Sequence, residues 1–168
     1  MSTKTMTGTA MLLAVALLAQ SLRLLIPIPP QVSMFVIGSI VSATIVLAAW
    51  RFGLKAGLLI AWVTPLVAYL QGLMLPLAPA VIVVGLGSSL YATVAYALRQ
   101  RPKVVMVVLA VLVRVLVLYG GFSLLLQLVH LPMEKASVLL FSMGWPQIVT
   151  GSLGILLASL IQGRLVKP

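Results

Sequence analysis

The sequence predicts an all-α membrane protein with six transmembrane helices and with both termini in the cytoplasm. Three observations support this prediction. Of the 168 residues, 62% are hydrophobic and only 7% are charged, whereas soluble domains are about 45–50% apolar and about 25% charged. Apolar stretches long enough to cross a bilayer recur along the chain, and basic residues are concentrated in alternate turns between them.

The apolar stretches define the predicted spans. A bilayer core of roughly 30 Å requires about 20 predominantly apolar residues per helix. Six stretches of this kind form a single transmembrane domain over residues 1–168: 8–27, 33–50, 54–74, 79–98, 103–130 and 136–162. Proline follows the first, third and fifth stretches and cannot continue a helix interior. Because the apolar run of the first stretch continues to Pro27, a cleaved signal peptide is disfavoured there.

The basic residues predict the orientation. Eight of the eleven Lys and Arg residues lie near the N-terminus, in the second and fourth turns, or near the C-terminus, whereas the other three turns carry only Lys135. Basic residues accumulate in cytoplasmic loops, so this asymmetry places both termini in the cytoplasm. The formal net charge of +10 therefore indicates topology and contact with the lipid bilayer, and nucleic acid is not an expected partner.

Residues suited to catalysis are scarce. The chain has no cysteine, one histidine (His130) and one acidic residue (Glu134). A zinc site needs three or four ligands, and acid–base catalysis by paired carboxylates needs two acidic side chains. No Gly-rich loop ending in Lys-Ser or Lys-Thr is present for ATP hydrolysis. We therefore expect no metal site, no cofactor and no catalytic residues, and favour binding or transport over enzymatic activity.

Two arginines lie inside predicted spans, where an uncompensated charge is costly. Arg114 is near mid-depth of the fifth span, and Arg23 is close to the outer end of the first. A structural alternative for Arg23 is that its side chain snorkels to the outer interface. The structural alternatives for Arg114 are hydrogen bonding to backbone carbonyls at a helix break and contact with a partner subunit. The functional interpretation is that both arginines bind an anionic group of a ligand, since guanidinium binds carboxylate or phosphate with two hydrogen bonds.

Other polar and aromatic side chains gather in the outer half of spans three, five and six. For each of these side chains, the structural alternative is a role in helix packing or in the aromatic belt at the membrane interface. Their convergence predicts a ligand pocket that opens outward. The residues that we assign to this pocket, besides Arg23 and Arg114, are Tyr69, Gln71, Tyr119, Gln127, Trp145 and Gln147.

A pair of alanines marks the inner half of span one. Ala10 and Ala14 are four residues apart, so they form a small flat surface that another helix can approach closely. Nine residues separate Ala14 from Arg23, which at 100° per residue places them on opposite faces. One face is therefore predicted to meet a partner and the other to face the bundle.

The short basic chain, its six spans and Ala10-x-x-x-Ala14 in span one resemble an S-component of energy-coupling-factor (ECF) transporters, the vitamin-uptake systems of bacteria and archaea. The resemblance implies a prokaryotic plasma membrane location, capture of a small vitamin-like molecule at the outer face, and no enzymatic activity. It also implies docking of Ala10 and Ala14 on a transmembrane T-component that is driven by two ABC ATPases. The ligand would lie among spans four to six. The two arginines favour an anionic or zwitterionic molecule.

Three alternative functions predict different sequence features. A small oligomeric structural or pore-forming protein would use Ala10 and Ala14 for self-association, but a pore requires a continuous polar stripe that no span contains. A stand-alone carrier coupled to protons or sodium usually requires an intramembrane carboxylate, which is also lacking. An intramembrane enzyme is the least favoured.

Overall fold

Seven α-helical segments form the described part of the chain, which in this computed structural model comprises residues 3–26, 29–74, 77–129 and 133–165. No β-strand occurs in that part. The segments, in chain order, are α1 (Thr3–Leu25), α2 (Pro30–Phe52), α3 (Leu54–Leu70), α4 (Ala78–Ala97), α5 (Lys103–Leu128), α6 (Met133–Met143) and α7 (Trp145–Leu165). The predicted breaks at Pro27, Pro76 and Pro132 lie outside the described residues.

Within the described residues, five helical stretches are long and apolar enough to cross a membrane. They are α1, most of α2, α4, α5 and the stretch Ala136–Arg164, which joins α6 and α7. The shorter α3, with 17 residues, is also apolar. The prediction of an all-α membrane protein is confirmed.

Two helix ends differ from the predicted span limits. α1 begins at Thr3 rather than near residue 8, and threonine hydroxyls in its first turns donate to carbonyls one turn earlier, as Thr9 Oγ1 does to the Thr5 carbonyl at 2.7 Å. α3 ends at Leu70 rather than near residue 74. The chain reverses there through Gly72, whose φ of 70° is accessible to glycine at little cost.

The last span is interrupted. α6 ends at Met143, Gly144 forms a bend, and α7 begins at Trp145. Pro146 is the second residue of α7, a position where the missing N–H of proline removes no helical hydrogen bond. Irregular backbone at membrane depth is tolerated where it is buried or lines a cavity.

α2 lies at the centre of the bundle and packs against α1, α3, α4 and α7. Its residues 42–49 are all buried. Small side chains permit this close approach: a Cβ added at Gly154 of α7 would lie 2.5 Å from the Ser42 Cβ. Large apolar side chains such as Leu112 and Leu116 of α5 face outward, as expected where the surrounding solvent is lipid.

Candidate ligand cavity

A cavity of about 300 Å³ lies inside the bundle, at the lower end of the volume range of small-molecule sites. Methionine and aliphatic side chains form much of its wall, including Met34, Val41 and Met143. Its polar lining comes from five of the seven helical segments. These polar residues are Gln20, Arg23, Thr64, Ser88, Arg114, Gln147 and Thr150.

Arg114 of α5 is held by neutral partners. Its side chain is only 8% exposed, and its Nη1 donates a hydrogen bond of 2.7 Å to Ser42 Oγ. Its guanidinium carbon lies 5.0 Å from the centroid of the Tyr91 ring, within the range of a cation–π interaction. Its buried Nε has no hydrogen-bond partner among the described residues. Arg114 therefore keeps donor capacity at the cavity wall.

Tyr91 is itself anchored. The side chain is fully buried, and its hydroxyl donates a hydrogen bond of 2.7 Å to the Gly151 carbonyl of α7. The ring on which Arg114 stacks is thereby tied to a second helix. Three helices (α2, α4 and α7) thus restrict the orientation of one guanidinium, because a buried polar side chain with several partners has few alternative positions.

A second part of the cavity wall is formed by α1 and α3. Gln20 Nε2 donates a hydrogen bond of 3.3 Å to the Thr64 carbonyl, and since a carbonyl can only accept, this contact fixes the orientation of the amide. The Gln20 Oε1 and the Arg23 Nε are both buried without a partner in the described part of the chain. This wall therefore presents one acceptor and one further cationic donor.

The predicted ligand residues separate into two groups. Arg23, Arg114 and Gln147 line the cavity together. Gln147 is held by a hydrogen bond of 3.1 Å from its Nε2 to the Ser142 carbonyl, across the bend at Gly144.

The other five predicted residues do not line this cavity. Gln71 Nε2 donates to Ser21 Oγ at 3.0 Å, which ties the end of α3 to α1. Tyr69 is partly exposed and Gln127 is exposed, and Tyr119 is 49% exposed. Trp145 is 48% exposed and packs against the rings of Phe35 and Phe141 at 5.5 and 5.8 Å. Their assignment to the ligand stays a prediction.

Several lining residues were not singled out from the sequence. Gln20 carried a usable signal, because it precedes Arg23 by three residues and so shares its helix face. Thr64 directly precedes Pro65, a proline inside the apolar helix α3. Lining residues of α2, such as Gly38 and Val41, gave no signal, since they lie within an apolar run of small and branched side chains.

The two faces of α1 are distinct. Ala10 and Ala14 are exposed, and Met11 and Leu18 are exposed beside them. Arg23 and Gln20 instead line the cavity. The described chain leaves the alanine face uncovered, so it is accessible to lipid or to another protein.

The fold and cavity define a class of protein: a helical membrane protein with an arginine-lined cavity inside its bundle. A family model described as "ECF transporter, substrate-specific component" matches residues 4–166. The chain therefore belongs to this family and is the substrate-specific subunit of an ECF transporter. It matches no curated protein and no solved structure significantly.

Proposed function

We propose that this subunit captures a small, vitamin-like molecule, anionic or zwitterionic, at the outer face of a prokaryotic plasma membrane. The observation that supports the proposal is the presence of Arg23 and Arg114 in the wall of one cavity of about 300 Å³. Guanidinium groups bind carboxylate and phosphate with paired hydrogen bonds. The unpartnered Gln20 Oε1 would accept a hydrogen bond from a hydroxyl or N–H group of the same ligand.

The proposed direction of entry follows from charge. Arg51, Lys55, Arg99 and Arg101 flank the helix ends that the distribution of basic residues assigns to the cytoplasm. Arg23 lies two residues before the opposite end of α1. The cavity, with Arg23 in its wall, is thus closer to the outer surface, and outer loops would close over the bound ligand.

The proposed partners are a transmembrane T-component and two ABC ATPases. The exposed face of α1 with Ala10 and Ala14 suits the T-component, because small side chains allow helices to approach closely in lipid. ATP binding and hydrolysis are assigned to the partner ATPases, since no phosphate-binding loop is present in this sequence. Rotation of the loaded subunit in the membrane would then carry the ligand inward.

Native mass spectrometry of the tagged chain, purified gently from the membranes of its own host, tests this proposal. Co-purification of a T-component and ATPases, with a small molecule retained on the chain, is the expected result. A bare homo-oligomer without ATPases or ligand would contradict the proposal and favour self-association through Ala10 and Ala14. An otherwise identical preparation of Ala14→Trp serves as control and should lose the partners but keep the ligand.

A further inference from the structure

We propose that the occupant of the cavity is a small organic dianion of the dicarboxylate type, with one carboxylate bound by Arg23 and the other by Arg114. The inference rests on the proposed function, because it narrows the ligand class of the same cavity from anionic or zwitterionic to doubly anionic. Both arginines line this cavity, and a buried Nε of each lacks a hydrogen-bond partner in the described part of the chain.

The charge count favours two negative charges on the ligand. The whole sequence contains one acidic residue, Glu134, so acidic side chains cannot neutralise both guanidiniums. The contacts of Arg114 are the Ser42 hydroxyl and the Tyr91 ring, neither of which carries a negative charge. Buried charges without a counter-charge are costly, and an anion at each arginine would remove that cost.

The backbone of Glu134 lies away from the cavity wall and from the helix that carries Arg23. Glu134 is nine residues before Met143, which lines the cavity, so its backbone lies about 13 Å from Met143 along α6. α6 packs against α5 and α7, whereas Arg23 is on α1, which packs against α2 and α3. The counter-charge for Arg23 is therefore expected from the ligand, and the neutral contacts of Arg114 lead to the same expectation for Arg114.

The separation of the two arginines favours two carboxylates over one. Arg23 is on α1, which packs against α2 and α3, whereas Arg114 is on α5, which packs against α4, α6 and α7. The two arginines therefore reach the cavity from helices that are not closely packed against each other. A ligand with two carboxylates presents one carboxylate to each arginine.

The apolar part of the cavity wall suits a short aliphatic chain. Val41, Met34 and Met74 contribute to this apolar surface, which would pack against methylene groups. A zwitterion is disfavoured because its ammonium group would enter a cavity that already contains two positive charges. A phosphate monoester carries both charges at one end and would leave one arginine without a counter-charge.

Binding to the purified full chain in lipid nanodiscs tests the inference. The probes are the straight-chain dicarboxylates from succinate to pimelate, the monocarboxylates of equal length, 6-aminohexanoate and glycerol phosphate. Affinity is measured by calorimetry, and thermal unfolding is followed by the fluorescence of the three tryptophans. We expect one dicarboxylate of intermediate length to bind at least about tenfold more tightly than its monocarboxylate, since a charged hydrogen bond contributes that much.

Substitutions of Arg23 and Arg114 test whether these two residues bind the carboxylates. Arg23→Met and Arg114→Met should each reduce dicarboxylate affinity about tenfold or more, to the level of the monocarboxylate. The lysine variants, which keep the charge, should retain part of the affinity. Arg99→Met is the matched control, because Arg99 is exposed and stacks on Tyr96 at 4.2 Å outside the cavity. It should leave the affinity unchanged.

The outcomes separate this inference from the proposed function. Three results would each overturn the assignment of a dianionic ligand. They are equal binding of monocarboxylate and dicarboxylate, tighter binding of 6-aminohexanoate or glycerol phosphate, and no binding of any dicarboxylate. The wild-type comparison decides this even if a variant does not fold. Co-purification of the T-component and ATPases does not depend on the probe. If these partners do not co-purify, the capture function is rejected, whatever the probes bind.

Discussion

Arg114 and Ser42 join two helices inside the membrane through a hydrogen bond of 2.7 Å from Nη1 to Oγ. The serine lies in the fully buried stretch 42–49 of the central helix α2, so the residue that orients the guanidinium belongs to the core of the bundle. The bond satisfies one donor of a buried charge, while the Nε of the same guanidinium has no hydrogen-bond partner in the described part of the chain. Ser42 is therefore a positioning residue for the proposed anion site.

Ser42→Ala should weaken ligand binding about fivefold, because Arg114 loses the neutral hydrogen bond that orients it. Calorimetry with the retained ligand measures the effect. Ser39→Ala is the matched control, since Ser39 is also buried on α2 but its hydroxyl donates to the Phe35 carbonyl of its own helix. Equal losses in both variants would contradict a positioning role for Ser42.

Gln20→Leu should lower ligand affinity severalfold, because Gln20 lines the cavity and presents an unpartnered Oε1 that a ligand donor would otherwise satisfy. Gln127→Leu provides the comparison, since the sequence also predicts Gln127 as a ligand residue but the structure places it in an exposed position. Binding isotherms of the two variants distinguish them. A larger loss for Gln127→Leu would place the ligand outside the described cavity.

Gly154→Ala should lower the stability of the bundle by about 1–3 kcal/mol, the usual cost of overpacking. The added Cβ would lie 2.5 Å from the Ser42 Cβ and 3.1 Å from the Ala43 backbone nitrogen. Thermal unfolding in nanodiscs measures the loss. Gly163→Ala on the same helix is the control, because nothing lies within 4 Å of its added Cβ. A stability loss of the same size at Gly163 would remove the packing explanation.

Ala14→Trp should abolish uptake in cells and leave ligand binding by the purified subunit unchanged, because Ala14 is exposed and lies outside the cavity lining. Radiolabelled uptake and calorimetry provide the two readouts. Leu116→Trp is the control: Leu116 is 63% exposed on α5, which packs against α4, α6 and α7 rather than α1. Loss of binding together with uptake in Ala14→Trp would show that the two faces of α1 are not independent.

Three members of the cavity lining, Arg23, Arg114 and Gln147, were predicted from the sequence. The fold class and the two arginines were accessible because their signals are local. A long run of apolar residues indicates that lipid surrounds the helix. An arginine within such a run is conspicuous because burying its charge is costly. The opposite faces of α1 follow from helix geometry alone, which is why Ala14 and Arg23 could be separated without a structure.

Only the tertiary structure determined which polar residues share one cavity. Arg114 meets Ser42 across 72 positions of sequence, and Gln20 meets Thr64 across 44, contacts that no local periodicity encodes. Tyr119 and Trp145 follow the same compositional pattern as the lining residues, yet the rotation of their helices leaves both about half exposed. In a sequence that is apolar on every helix face, hydropathy identifies the spans but not their inward faces, and packing of small residues such as Gly154 against Ser42 decides the rotation.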